Sequence, residues 1–238
     1  MPLTGEQLDA ILTAAARDNL SHLELVHRLV AELAQQRRER SIARRIGQAR
    51  FKEHKTLATF DWEFNAKALD RVQIEELATG AFIGRCDNLV FVGQSGVGKS
   101  HLIQAIGLAA CVHYRVRYVT SARLLQELNA SLADHSLAKK VSSYANVELL
   151  IIDEFGLEKI ERTEIPHAAS LLYKVIDARS QRYSTALVSN IDFDAWGEYL
   201  GDAQLTMPLL DRVVDGAIIL KINGKSYRAH RARKRATP

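Results

Sequence analysis

One eight-residue segment constrains this chain more than any other, because it requires a strand before it and a helix after it. Residues 93–100 read Gly-Gln-Ser-Gly-Val-Gly-Lys-Ser, the pattern G-x-x-x-x-G-K-[ST]. An apolar run at 88–92 precedes the segment, and a helix-compatible run follows it. Such a loop holds a phosphate chain on inward-pointing backbone amides, and the adjoining helix terminus adds partial positive charge. A chance glycine-rich turn rarely combines these features, so the segment predicts a nucleoside triphosphate site.

Two residues at the end of the segment carry the chemistry of the predicted site. Lys99 is placed to neutralise the β and γ phosphates of ATP, and the Ser100 hydroxyl is placed to ligate Mg²⁺. ATP and Mg²⁺ are therefore the expected ligands. The predicted nucleotide-binding residues are Gly93, Gln94, Ser95, Gly96, Val97, Gly98, Lys99, Ser100 and His101.

A second apolar segment, residues 149–152, ends in two carboxylates, Asp153 and Glu154. A continuous apolar run is typical of a central parallel strand covered on both faces, and ligands bind at the carboxyl ends of such strands. We expect Asp153 to hold magnesium through the metal's waters. We expect Glu154 to orient and deprotonate the water that attacks the γ phosphate, which favours hydrolysis over phosphoryl transfer. An ordinary strand end with solvated acids is the alternative, and the complete phosphate loop argues against it.

Asn190 follows a further apolar run at 185–189. Its amide could hold the attacking water against the γ phosphate. Asn after a strand is also a common turn residue, so this role depends on the two preceding motifs.

The order of apolar and helical patterns predicts the fold class. Five short apolar runs lie at 88–92, 116–120, 149–153, 185–189 and 217–221, with helical patterns between them. This alternation predicts an α/β fold whose five-stranded, mainly parallel sheet lies between helices. We place a domain boundary near Thr56, which gives a small all-helical domain at 1–55 and a larger domain at 56–238.

The smaller domain is predicted to contain two helices. Thr4 with Gln7 and Ser21 with Glu24 have capping-box spacing, which satisfies exposed amides where a helix begins. In the second helix, an apolar stripe recurs at steps of three and four residues. Its members are Leu23, Val26, Val30 and Leu33.

Basic residues are concentrated in two parts of a chain whose net charge is +4. Residues 37–55 contain eight basic and two acidic residues, and residues 221–238 contain seven basic residues and no acidic one. Such segregation favours a polyanion partner, since Lys and Arg on phosphates release condensed counterions. A solvated helix face and a loose tail are the alternative. Arg37, Arg40 and Arg44 would form one cationic ridge if the helix persists, until Gly47 weakens it.

No apolar run reaches the roughly 20 residues of a membrane helix. The first residues are not a basic-then-apolar signal segment, so we expect a cytoplasmic protein without membrane contact.

Residues 57–227 resemble the IstB family of transposition helper ATPases, relatives of DnaC-type helicase loaders within AAA+. The phosphate loop and the carboxylate pair are part of the resemblance, and other matches are more selective. These are Lys55-Thr56-Leu57, His101-Leu102, Ser189-Asn190, Trp196-Gly197-Glu198, Leu210-Asp211-Arg212 and Gly224-Lys225-Ser226-Tyr227-Arg228.

The resemblance implies an ATPase that works as a homo-oligomer on DNA. It implies a P-loop AAA+ core without a C-terminal lid, and only 26 residues follow Arg212. Arg212 would reach into the ATP of a neighbouring subunit, so ATP would lie at subunit interfaces. Without the family, an ion pair of Arg212 with Asp211 or Asp215 would be the favoured interpretation. The assembly would surround duplex DNA, mark it as a target and engage the partner transposase.

DNA contacts are expected mostly on phosphates, because no base-reading motif is recognisable in the sequence. The candidates come from the first basic run and from residues 121–143, where relatives have an extra helix facing nucleic acid. They are Arg37, Arg40, Arg44, Arg45, Ser121, Arg123, Lys139 and Lys140. Two other functions stay open, a loader of a replicative helicase and a binding module that uses ATP only to lock its conformation.

Overall fold

The computed structural model describes residues 5–157, 165 and 167–236. Two compact units comprise Met1–Arg44 and Arg45–Pro238. The second unit thus begins eleven residues before the predicted boundary at Thr56. Residues just after Arg45 explain this difference: Ala49 is fully buried, and the Glu53 amide donates to the Gln104 side chain at 3.1 Å. Among the described residues, no helix has both the length and the apolar character to cross a membrane.

The first unit contains helix α1 (Gly5–Arg17) and most of α2 (His22–Ala49). Ser21 begins α2 with a capping box, since its amide donates to Glu24 at 2.8 Å and its hydroxyl accepts from the Glu24 amide at 3.3 Å. The other predicted capping box includes Thr4, which lies outside the described residues. α2 continues through Gly47, so the predicted weakening there is wrong. The apolar stripe of α2 is exposed, with Leu23 80% accessible.

The second unit is built on one parallel sheet. Its strands are β1 (Leu89–Val92), β2 (Val116–Thr120), β3 (Leu149–Phe155), β4 (Ser184–Ser189) and β5 (Ile218–Lys221). Their order is β2-β3-β4-β1-β5, and each neighbouring pair is parallel. The predicted five-stranded parallel sheet is therefore confirmed, with β3 two residues longer than its apolar run.

Helices and short helical turns cover the two faces of the sheet. The helices are α3 (Arg71–Ala78), α4 (Ala81–Gly84), α5 (Lys99–Ala110), α6 (Ser121–Ala133), α7 (Leu137–Ala145), α8 (Ala168–Arg179), α9 (Trp196–Leu200), α10 (Ala203–Val214) and α11 (Tyr227–Ala236). The 3₁₀ turns are Leu57–Thr59, Ala66–Ala68 and Phe193–Ala195.

Alternate residues of β1 to β4 enter two separate apolar cores. Leu89 and Ile151 pack in the core that includes α3, α4 and α5. Val90 and Ile152 pack in the core that includes α6 to α10. This two-sided burial is why the strands read as continuous apolar runs rather than as alternating ones.

A buried arginine joins the second core to the amino-terminal ends of the strands. Arg179 is 1% accessible, and its guanidinium donates to the carbonyls of Tyr144, Ala145 and Val147 and to the Thr185 hydroxyl. Burial lowers the pKa of Arg179 to about 9. The side chain therefore binds carbonyls where α7 ends and before β3 begins.

Candidate nucleotide-binding site

The predicted phosphate loop lies between β1 and α5, at the carboxyl-terminal edge of the sheet. It lines a cavity together with Glu154 and Asn190. Glu154 lies near the end of β3, and Asn190 directly follows β4. Ser95, Gly96, Val97, Gly98, Lys99, Ser100 and His101 all line this cavity. The parallel register explains the convergence, because it brings the ends of β1, β3 and β4 to one edge.

Glycines shape the loop because other residues would not fit there. Gly93, Gly96 and Gly98 have φ angles of +155°, +88° and +104°. A Cβ atom at Gly93 would lie 2.3 Å from the Ile222 carbonyl oxygen, and one at Gly98 would lie 2.9 Å from the Phe60 ring. The loop is thus a curled backbone without side chains at its tightest points, which fits a bound phosphate chain.

The Lys99 ammonium lies inside the loop. It donates to the carbonyls of Gly93 at 2.6 Å and Gln94 at 2.8 Å, and to the Asn190 side-chain oxygen at 3.0 Å. Burial lowers the pKa of Lys99 to about 8; Asp153 opposes this shift, and the charge of Arg228 contributes to it. A desolvated cation held only by neutral oxygens is well suited to receive a polyanion.

Asp153 is completely buried at the end of β3, and its carboxylate accepts three hydrogen bonds. The donors are the Ser100 hydroxyl at 3.0 Å, the Tyr118 hydroxyl at 2.8 Å and the Glu154 amide at 2.7 Å. Burial raises the pKa of Asp153, and these three hydrogen bonds oppose the rise. The contact between Ser100 and Asp153 places a hydroxyl and a carboxylate side by side, an oxygen pair that suits Mg²⁺.

Glu154 turns back toward the cavity from an unusual backbone conformation. Its φ angle is +62°, which a residue with a side chain rarely adopts and which costs of order 1–3 kcal/mol. One carboxylate oxygen accepts from the Lys52 ammonium at 3.1 Å. The strained turn separates the two carboxylates, so Asp153 faces Ser100 and Glu154 faces the cavity.

Asn190 connects the strand ends to the phosphate loop. Its backbone amide donates to the Phe155 carbonyl at 2.8 Å, and its side-chain oxygen accepts from Lys99. The structure therefore brings Lys99, Ser100, Asp153, Glu154 and Asn190 together, as their sequence positions led us to expect.

Two chain segments that we did not assign to the site close the cavity. Residues 53–65 contribute Phe60, Phe64 and Asn65, and the start of α11 contributes Tyr227. His101 faces the first segment, with its ring 2.9 Å from the Thr56 carbonyl oxygen. The sequence did contain signals, the aromatic run at 60–64 and the family match at 224–228, but neither pattern indicates which cavity it lines.

Arg212 does not line this cavity. It lies near the end of α10, where its guanidinium donates to Asp177 at 2.7 Å and lies 4.8 Å from the Tyr173 ring centroid. The expected alternative partners, Asp211 and Asp215, were therefore the wrong acids. Any contact of Arg212 with a nucleotide would have to involve another subunit.

Two of the candidate DNA contacts, Arg45 and Ser121, make hydrogen bonds within the fold. The Arg45 guanidinium donates to the carbonyls of Val112 at 2.7 Å and His113 at 3.1 Å, just beyond α5. Ser121 is 2% accessible, and its hydroxyl lies 3.4 Å from the Glu154 carbonyl oxygen. Burial corrects Ser121 to a structural residue, whereas Arg45 is half-buried with two of its guanidinium nitrogens engaged.

The remaining candidates keep accessible side chains to different degrees. Arg37, Arg40, Arg44 and Lys139 are exposed. Arg123 and Lys140 share one acid, Glu127, at 2.9 and 3.3 Å. Burial works against ionisation of Glu127, but hydrogen bonds from Tyr144, Arg123 and Lys140 lower its pKa to about 2. Those two cations are therefore already partly neutralised.

The chain closely matches known proteins over its full described length. The family of IstB-like ATP binding proteins matches residues 5–236. An insertion sequence IS5376 ATP-binding protein from Geobacillus stearothermophilus is 34% identical over 235 residues, covering 98% of this chain and 91% of the relative. An insertion sequence IS21 ATP-binding protein from Pseudomonas aeruginosa is 33% identical over 228 residues, covering 95% of this chain and 84% of the relative.

A solved structure shares the architecture. DnaI aligns over 71% of this chain and 91% of its own length, with a TM-score of 0.55 and 20% identity. This likeness concerns the fold alone, and it agrees with the P-loop AAA+ core predicted from the motifs. The family resemblance drawn from residues 57–227 is confirmed, and the family match extends over the first helices as well.

Proposed function

The chain belongs to the IstB-like ATP-binding proteins, and on that premise we propose that it is an ATPase that assembles on duplex DNA and assists a transposase. One observation carries the proposal: Lys99, Ser100, Glu154 and Asn190 line one cavity beside a glycine loop, and the buried Asp153 accepts a hydrogen bond from Ser100. This set contains what hydrolysis of a triphosphate needs, namely a cation, oxygen ligands for a metal, a base and an amide.

Each residue of the set has a part in the proposed reaction. The loop amides and Lys99 hold the β and γ phosphates, and Ser100 with Asp153 holds Mg²⁺. Bound Mg²⁺ neutralises charge on the phosphate oxygens. Glu154 accepts a proton from the attacking water, and Asn190 orients that water. The oxygen of that water bonds to the γ phosphorus while the bond from phosphorus to the β–γ bridging oxygen breaks, which gives inorganic phosphate and ADP.

Assembly would bring Arg212 to the site of a neighbouring subunit. The ion pair with Asp177 is partly exposed, with 30% of the Arg212 side chain and 49% of the Asp177 side chain accessible. Solvent screens such a pair, which contributes little to stability, so exchanging Asp177 for a phosphate costs little. An arginine supplied in trans accelerates phosphoryl transfer by roughly 10³–10⁵.

DNA would be held through phosphates by exposed cations. Arg37, Arg40, Arg44 and Lys139 are the residues we propose, with smaller contributions from Arg123 and Lys140. Contacts of this kind give weak sequence preference and steep salt dependence. They support a role in which DNA stimulates hydrolysis and the assembly marks a target for the transposase of an insertion sequence. Since this role needs ATP and chromosomal DNA, we propose the cytoplasm as its location.

A comparison of two variants tests hydrolysis and assembly together. Glu154→Gln should bind Mg-ATP, form oligomers on duplex DNA and release no phosphate, because the amide cannot accept the proton. Lys99→Ala should fail to bind nucleotide. If Glu154→Gln stays monomeric with ATP and DNA, as judged by light scattering, the assembly proposal is wrong.

Mixing variants tests the shared site. Arg212→Ala keeps its own loop, and Lys99→Ala keeps its arginine, so mixed oligomers should recover part of the hydrolysis that each variant lacks. No recovery at any ratio would count against Arg212 acting in trans. Capture of a replicative helicase instead of a transposase would favour the loader function.

A further inference from the structure

The start of helix α11 is fixed directly against the phosphate loop. The Tyr227 amide donates to the Gly96 carbonyl at 2.9 Å. A Cβ atom at Gly96 would lie 2.3 Å from the Ser226 hydroxyl oxygen, so glycine is required for this approach. The first turn of α11 therefore cannot leave the loop without breaking a backbone hydrogen bond.

A second set of contacts joins α11 to the segment on the other side of the cavity. The Asn65 side chain donates to the Lys225 carbonyl and accepts from the Lys225 amide, both at 3.1 Å. The Phe64 ring lies 5.1 Å from that of Tyr227 and 4.8 Å from that of His230, measured between centroids. These contacts determine which face of α11 meets the cavity.

That face presents two arginines. Arg228 and Arg231 are three residues apart, so they lie on one side of the helix, and both line the cavity with Lys99. Among residues 5–157, 165 and 167–236, no acid forms an ion pair with either arginine. The positive charge of Arg228 is close enough to influence the ionisation of Lys99.

The acids that line the same cavity are engaged elsewhere. Glu53 is paired with Lys55, and Glu154 is paired with Lys52. The Asp61 carboxylate accepts from the amides of residues 63 and 64, at 3.2 Å each. The cavity therefore has an excess of positive charge that its own side chains do not neutralise.

We propose that Arg228 and Arg231 bind the terminal phosphates of the nucleotide held in the phosphate loop of the same subunit. The inference rests on the proposed nucleotide site and adds two specificity-determining residues to it. Arginine suits this task because its planar guanidinium matches phosphate oxygens in pairs. Since the γ phosphate carries the added charge of a triphosphate, the two arginines favour a triphosphate over a diphosphate.

Calorimetric titration of the full chain with a non-hydrolysable ATP analogue and with ADP, both with Mg²⁺, tests this assignment. Combining Arg228→Ala and Arg231→Ala should weaken binding of the analogue by about tenfold or more. Binding of ADP should weaken by clearly less. Arg228→Lys should show an intermediate loss for the analogue, since it keeps the charge without the paired geometry.

Lys234→Ala is the matched control, because it removes one positive charge from the same helix at a residue outside the cavity lining. It should leave the affinities for the analogue and for ADP within about twofold of the wild-type values. Since tenfold corresponds to about 1.4 kcal/mol, this is a change of less than about 0.5 kcal/mol. Circular dichroism should show that every variant is folded.

The same titrations distinguish a wrong assignment of the two arginines from a wrong proposed function. If the wild-type chain binds both nucleotides and the double variant binds them equally well, the two arginines are not phosphate ligands. Equal losses for the analogue and ADP would refute their selectivity for the γ phosphate. If instead the wild-type chain binds neither nucleotide, the proposed function itself is wrong.

Discussion

Replacing Tyr118 with phenylalanine tests whether the metal-binding carboxylate is held in place by a residue outside the two motifs. Tyr118 lies in β2 and is 5% accessible, and its hydroxyl donates to Asp153 at 2.8 Å. The contact follows from the pairing of β2 with β3, in which Tyr118 lies beside Ile151, two residues before Asp153. The substitution removes one hydroxyl and leaves the ring, so packing in the core changes little.

The structure gives the size of the effect. A hydrogen bond to a charged group contributes about 1.5–3 kcal/mol, and this bond is buried at both ends. Residues that orient a metal ligand typically change metal affinity by roughly 10–100-fold when lost. We therefore expect Tyr118→Phe to weaken Mg-ATP binding by about that factor and to lower the free energy of unfolding by about 1.5–3 kcal/mol.

The pH dependence of Mg-ATP affinity distinguishes a change at Asp153 from a change in core packing. Burial raises the pKa of Asp153, and the Tyr118 hydrogen bond opposes that rise. Removing the hydroxyl therefore raises the pKa of Asp153 further. Magnesium needs the ionised carboxylate. As the pH is lowered, Mg-ATP affinity should therefore begin to fall at a higher pH in Tyr118→Phe than in the wild type.

Tyr144→Phe is the matched control for calorimetry and urea unfolding. Its hydroxyl donates to another carboxylate, that of Glu127, at 2.7 Å, and Tyr144 does not line the cavity. It should lose stability without losing Mg-ATP affinity. The reasoning is refuted if Tyr118→Phe binds Mg-ATP as tightly as Tyr144→Phe does at every pH.

Three further variants test other parts of the structure. Arg179→Met should lower the free energy of unfolding in urea by about 3–5 kcal/mol, because buried carbonyls lose their donor, and an unchanged urea midpoint would contradict this. Glu127→Gln should be less stable than the wild type above pH 4.5. The difference in free energy of unfolding should shrink as the pH falls from 4.5 to about 2, because the wild type then loses the stability that comes from the lowered pKa of Glu127. A difference that persists below pH 2 would contradict the pairing. Lys52→Ala should change the rate of phosphate release by less than about fivefold, since its ion pair with Glu154 is 60% exposed on the lysine side, and a larger change would show a direct role for Lys52.

The sheet could be predicted from the sequence because its inner strands, β1, β3 and β4, are buried on both faces. Residues 149–152 have no polar side chain, so the run itself reveals a central strand. The site followed from the fixed spacing of Lys99 and Ser100 after the glycines, a pattern tied to one backbone shape. In both cases a short stretch of sequence is sufficient to indicate the local structure and its place in the fold.

Other features depend on contacts between distant residues, which no local pattern encodes. Tyr118 in β2 reaches Asp153 in the neighbouring strand β3, 35 positions along the chain, and Asn65 reaches Lys225 across 160 positions. The burial of Ser121 was missed for the same reason, because a serine in a segment between strands is more often at the surface. The partner of Arg212 was also beyond prediction, since Asp177 belongs to another helix.

Binding of Mg-ATP to the folded wild-type chain is the measurement that tests the central claim most directly. Titration calorimetry should show saturable heat with one nucleotide per chain, and the heat should disappear in Lys99→Ala, whose ammonium contacts two loop carbonyls. Absence of heat from a folded wild-type sample, or equal heat from Lys99→Ala, would contradict the claim that this loop holds a triphosphate.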